Sequence, residues 1–228
     1  MTGPDHELDG GDAGRASLEL ADWRRGIAAL YAEVRERAAS DPREAWERWR
    51  AAREALYRDH PQSPVPITER SAFRAKHWPY DASLRFEVTV EPVEPPGGSA
   101  GGPSVTAAPL LPMSAGERMD FSRIGRVAIA FSEGPRTLDL FWMAGYAGGL
   151  FLPFRDATNG HETYGAGRYV LDGAKGADLG GDATTGRLVL DFNFAFQPSC
   201  AFDPRWACPL APPENRLDLR IEAGERLM

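Results

Sequence analysis

The chain changes its hydrophobic period once, and that change limits its possible folds more than any other feature. Up to His60 apolar residues recur at three- and four-residue spacing; from Leu84 they alternate with polar ones in short runs. Gly, Pro and polar turn residues break up those runs, and no helical pattern lies between them. A chain ordered this way builds helices first and then a sheet whose strands are joined by hairpins and loops, not by crossover helices. Roughly eight or nine short strands at such spacing point to an antiparallel barrel or sandwich. The expected fold class is mainly β within α+β: an antiparallel β-barrel or sandwich-like domain preceded by two amphipathic N-terminal helices.

In the first helix, from Ser17, Leu20, Trp23, Ile27, Leu30, Tyr31 and Val34 share a face, with Glu19, Arg24, Arg25, Glu33 and Arg37 elsewhere. The second opens on Asp41-Pro42-Arg43-Glu44, an N-cap acceptor, a Pro at the first helical position and a Glu at the third. Trp46, Trp49, Ala52, Leu56 and Tyr57 form its apolar stripe until His60-Pro61 stops it. Residues 1–16 are acidic and Gly-rich, and read as a disordered leader; removal of residues 1–14 is expected to leave the fold intact. The expected division is that leader, a helical pair over 17–60 packed on the barrel, and a β domain over 61–228. A short helical turn is expected between Thr68 and Arg74. Strands are expected over Leu84–Val90, Val105–Leu110, Glu117–Phe121, Gly125–Phe131, Thr137–Met143, Leu150–Phe154, Arg168–Leu171, Leu188–Phe194 and Leu217–Glu222. Pro92–Pro103 reads as a loop and Gly173–Gly186 as a flexible excursion.

A net charge of -7 argues against a nucleic-acid partner, which needs a basic face. No apolar run approaches the roughly 20 residues that span a bilayer, so no membrane partner is expected. The N-terminal residues lack a basic, then apolar, signal pattern. A cytoplasmic location is therefore the expectation, with both cysteines reduced.

Aromatic, ionisable and Gly or Pro residues crowd between Phe151 and Asn215. Arg155, Asp156, Glu162, Tyr164, Arg168 and Tyr169 fall within one Gly-rich turn region, where backbone amides approach a ligand closely and Arg and Tyr suit an anionic or planar group. The competing reading is a turn locked by its own hydrogen bonds. Asp191 and Asn193 share one face of the strand read from Leu188 to Phe194; facing a barrel interior, they would complete the ligand-binding set, and a buried Asp191 would carry a raised pKa. Asp191, Glu162 and Cys200 are the catalytic candidates, as acid/base carboxylates or a nucleophilic thiol. His161, Cys200 and Cys208 offer zinc-type ligands, but the cysteine spacing matches no recognised knuckle; structural thiols and a disulfide are the other readings. The residues identify no cofactor.

FLPFRDATNGHETYGAGRYV, LDFNFAFQPSCAF, CPLAPPENRL and IEAGE, with SPVPITERSAFRAKHWPYDASLRF and GRVAIAF upstream, resemble the bacterial and archaeal family called domain of unknown function 1684. The resemblance runs from about Trp23 to Glu225. Its matching positions include Arg155, Asp156, Thr158, Thr163, Arg168, Asp191, Asn193, Cys200, Cys208, Glu214 and Asn215, while Gln197 stands where an Asn is expected. The family carries no assigned reaction, so the resemblance implies kinship and no chemistry. The leading functional expectation is binding of a small polar or anionic molecule in a pocket of the β domain. An enzyme using the same pocket and an interaction module without a small-molecule site are the alternatives. Oligomeric state is not legible.

Overall fold

The computed structural model describes residues 10–92, 111–115, 119–145 and 148–227. The strand expected over 105–110 and most of the loop after Pro92 lie outside these residues, as do positions 1–9 of the expected leader.

Helix α1 runs from Gly10 to Ala38 and α2 from Pro42 to Asp59, so α1 begins inside the stretch read as leader. Asp41 caps α2 by accepting the Glu44 N–H at 3.0 Å, with Pro42 supplying a first residue that has no N–H to lose. The two helices pack on each other, joined by a Trp49 Nε1–H bond to the Tyr31 hydroxyl at 3.1 Å. Neither is long and apolar enough to cross a membrane.

Seven antiparallel strands follow: β1 (Arg85–Pro92), β2 (Phe121–Phe131), β3 (Gly134–Met143), β4 (Gly149–Phe154), β5 (Arg168–Asp172), β6 (Gly181–Asp182) and β7 (Arg187–Asp191). They form one sheet in the order β5-β4-β3-β2-β1-β7-β6. The sheet curls. Tyr169 on edge strand β5 exchanges backbone bonds of 2.9 and 3.0 Å with Phe196, which follows β7 near the opposite edge. This half-barrel leaves two apolar layers. One holds Val127, Ile129, Leu138, Leu140, Leu152, Phe154 and Phe192, covered by Leu217, Leu219 and Ile221. The other holds Phe121, Phe141, Phe151, Tyr169, Phe194 and Phe196 against α1 and α2. Trp46 and Trp49 are the helical anchors of that second layer; burying one tryptophan removes roughly 200 Å² from water, worth about 5 kcal/mol before ordering costs.

Three expectations are corrected. The strand read through Phe194 ends at Asp191, because the Asp191 carboxylate accepts the Asn193 N–H at 2.9 Å and turns the chain into a 3₁₀ turn, Phe192–Phe194. Asp191 and Asn193 therefore do not alternate down a barrel wall. Leu217–Glu222 keeps its alternating burial but is not a strand: Leu217 and Leu219 bond to the backbone of Arg155 and Ala157, and side chains then take both backbone groups of Ile221. The excursion after Gly173 holds a 3₁₀ turn and the short strand β6.

An ion pair buried beneath α2 joins the helices to the far end of the chain. Arg53 grips Glu225 through Nε and Nη2, and both side chains are almost fully buried. Burial would raise the Glu225 pKa, but the facing Arg53 charge overrides it and holds the carboxyl below its usual range. His77 lies 4.0 Å from the same carboxylate; burial drives its pKa down to about 4, partly opposed by Glu225.

Arg53→Leu should destabilise the fold by about 3–5 kcal/mol, because Glu225 is left charged and unpaired. The double change with Glu225→Leu should recover most of the loss in urea melts. Undiminished stability in the single variant would show that the pair does not tie α2 to the tail. His77 is neutral in the fold while the unfolded chain protonates near pH 6.5, so its contribution is complete above that value. Stability should fall as pH drops from about 6.5 towards 4, and His77→Gln should flatten that slope when melts at pH 7.5 and 5 are compared.

Candidate functional site

The residues between Arg155 and Tyr169 fold into a network that holds the chain itself. Thr158 donates to Asp156 at 2.8 Å and shares a 2.9 Å hydroxyl contact with Thr163, and Asn159 donates to Thr163 and to the Tyr164 carbonyl. Gly167 takes φ +106, and a Cβ there would stand 2.5 Å from the Phe154 carbonyl, so only glycine fits. Arg168 is wholly buried. It donates to the carbonyls of Ile221, Ala223 and Glu225, lies 3.5 Å from Asp156 and faces the rings of Trp78 and Phe154. Burial lowers its pKa to about 10, with Asp156 and Glu225 opposing, which leaves it charged at neutral pH. Asp156 also accepts the Ile221 N–H at 2.7 Å.

The remaining candidates are similarly committed. The Asn193 amide pairs with both backbone groups of Asp81, at 2.8 and 2.7 Å. Asp191, its pKa raised by burial against the bonds from Asn193 and Arg85, is enclosed at 0% exposure. Tyr169 donates to the Pro209 carbonyl, Arg155 to the Ala166 carbonyl at 3.3 Å, and Glu162 is paired near the surface with Arg220 and Arg226. Tyr164 is half-buried beside Cys200. Among the described residues no three His, Cys, Asp or Glu side chains gather as metal ligands, so the set of His161, Cys200 and Cys208 is not assembled.

None of the eight expected ligand-binding side chains lines the cleft that the fold does create. That cleft, of about 290 Å³, lies between the helical pair and the segment from Phe196 to Cys208. Trp23, Ile27, Leu30, Tyr31, Trp49 and Tyr57 line it from the helices, and Phe196, Gln197, Trp206 and Cys208 from the other wall, with Arg24, Arg53 and Lys175 as its cations. Two of its buried polar atoms, Gln197 Oε1 and Trp206 Nε1, have no hydrogen-bond partner among the described residues. The Tyr31 oxygen accepts from Trp49, which leaves its own proton free to donate. A larger depression of about 560 Å³ along Leu18, Leu56 and His60 is an open groove, and none of its lining side chains has an unpartnered buried polar atom. Sequence reasoning missed the cleft because its walls are far apart in the chain. One signal existed: Arg53 falls on the buried stripe of α2, four residues after Trp49 and four before Tyr57.

The family described as "Protein of unknown function (DUF1684)" matches residues 73–226. The chain belongs to DUF1684. In this member the match starts at Phe73, after both helices, so one wall of the cleft lies outside the family span and the other within it. A solved relative is similar over a longer stretch. An uncharacterized protein of Haloarcula marismortui, determined in solution by NMR, is 29% identical with a TM-score of 0.55, covering 81% of this chain and 95% of that one. No curated protein matches.

The buried bonds of Arg168 make a stability test of its role. Arg168→Lys replaces a fork that reaches three carbonyls with a single ammonium, and should cost about 2–3 kcal/mol in thermal or urea melts. Unchanged stability would return Arg168 to the ligand-binding candidates.

Proposed function

We propose that this DUF1684 protein binds a small, mainly apolar molecule with a polar head group in the cleft between the helical pair and the half-barrel. The observation that carries this reading is the pairing of Gln197 Oε1, an acceptor, with Trp206 Nε1–H, a donor, both buried in the wall and both unpartnered. A buried polar group left without a hydrogen bond costs about 1–3 kcal/mol, so the cleft gains from a molecule that brings both a donor and an acceptor. The aromatic and aliphatic lining favours an apolar body. Arg53 is already neutralised by Glu225, Lys175 lies 3.5 Å from Asp172, and Arg24 is exposed to solvent, so the head group need not be anionic. An amide, lactam, alcohol or protonated acid meets the requirement.

The enzymatic alternative has less support. Asp191 and Glu162 lie outside the cleft lining, and among the described residues no carboxylate lines this cleft.

Fluorescence titration with anilinonaphthalene sulfonate, competed by small aromatic amides, tests the reading. Ala207 is half-buried in the cleft wall, so Ala207→Trp should fill the space with little effect on melting and weaken dye binding about tenfold or more. Trp206→Phe keeps a ring but removes the donor, and should weaken amide competition about fivefold, as for one hydrogen bond of about 1 kcal/mol. Undiminished binding in the first variant would place the ligand elsewhere.

A further inference from the structure

Cys200 and Cys208 are eight residues apart on one loop and are both buried, free thiols. The Cys208 sulfur accepts the Cys200 backbone N–H at 3.3 Å, which sets the two cysteines side by side. Tyr164 is half-buried beside Cys200. Ser114 fastens the loop, accepting the Cys208 N–H at 2.8 Å and donating to the Trp206 carbonyl at 3.0 Å. Cys208 lines the cleft, which gives a molecule the size of a peroxide a path to the pair.

We propose that Cys200 and Cys208 are a redox-active dithiol, in which the Cys200 thiolate reacts with hydrogen peroxide and Cys208 resolves the product as an intramolecular disulfide. The surrounding donors distinguish the two sulfurs. The neighbouring Cys208 side chain lowers the Cys200 pKa despite burial, and the same contact pushes Cys208 up. Cys200 is therefore the more readily ionised of the two, and the thiolate is the reactive form. It attacks one peroxide oxygen, the O–O bond breaks, and hydroxide leaves, taking a proton to become water. Sulfur has lost two electrons and is a sulfenic acid. With the Cys200 negative charge gone, the main cause holding the proton on Cys208 is removed. Its sulfur then attacks the Cys200 sulfur, an S–S bond forms, and the sulfenic hydroxyl leaves as a second water with the Cys208 proton. Two thiols and one peroxide yield one disulfide and two waters, and a dithiol reductant reverses the oxidation. The reaction requires no occupant of the cleft.

Native protein treated with one equivalent of hydrogen peroxide should lose two hydrogens in intact mass and yield a digest peptide with Cys200 joined to Cys208, restored by dithiothreitol. In Cys208→Ser, dimedone should trap a sulfenic acid on Cys200, whereas Cys200→Ser should oxidise about tenfold more slowly or less, as expected for a protonated thiol. Equal reaction of the two variants, oxygen addition without the cross-link, or no reaction of the native chain where the urea-unfolded chain reacts would each overturn the proposal. If either variant fails to fold by circular dichroism, the wild-type mass and cross-link decide alone.

Discussion

The structure depends on a cation placed where another protein would place a strand. Arg168 carries its charge into a wholly buried position between Trp78 and Phe154. Removing a charge from water costs several kcal/mol, so the position is tolerable only because the guanidinium fork is met by three carbonyls and the Asp156 carboxylate. Those carbonyls belong to Ile221, Ala223 and Glu225, whose neighbours cover one layer of the half-barrel. The electrostatic demand of one side chain thus fixes the path of the tail, and the tail closes the core.

The same device recurs with amides. Asn215 pairs with the backbone N–H and carbonyl of Asp139 and also donates to Pro153, while Asn193 does the equivalent at Asp81. An amide side chain offers the donor and acceptor of a peptide group, so each Asn satisfies backbone that has run out of strand partners. This explains both what was legible in the sequence and what was not. Local period located α1, α2 and the cores of β1 to β5 and β7, because those elements are stabilised by the face they bury. It misassigned Leu217–Glu222, whose alternation is real but whose hydrogen bonds are divided between the backbone of Arg155 and Ala157 and the side chains of Arg168 and Asp156. It also carried β7 past Asp191, where a carboxylate competing for a nearby N–H ends the strand.

The candidate site was harder to read for a related reason. Arg155, Asp156, Arg168, Asp191 and Asn193 stand out because polar groups in an apolar context are conspicuous, and that conspicuousness is shared by ligand sites and by backbone clamps. Composition does not separate the two; only the identity of the partner does. The cleft residues are less conspicuous. Trp206 and Gln197 sit among prolines and aromatics, and their walls meet only when the helical pair docks. Arg53, a charge on a buried helical stripe, was the one local clue, and its partner Glu225 is near the far end of the chain.

That distance also shapes how the molecule reaches its fold. The helical pair closes across a three-residue turn and β2 and β3 across a tight hairpin, so both are made of local contacts that form quickly. Arg53 and Glu225 are separated by 172 positions and Trp46 and Asn193 by 147, and bringing such ends together costs loop-closure entropy before any contact compensates it. Helix docking and tail closure therefore belong to the late part of folding. Until then the Phe121, Phe141 and Phe151 face is uncovered, together with the edge of β5. The chain is at its most adhesive while that apolar face is uncovered.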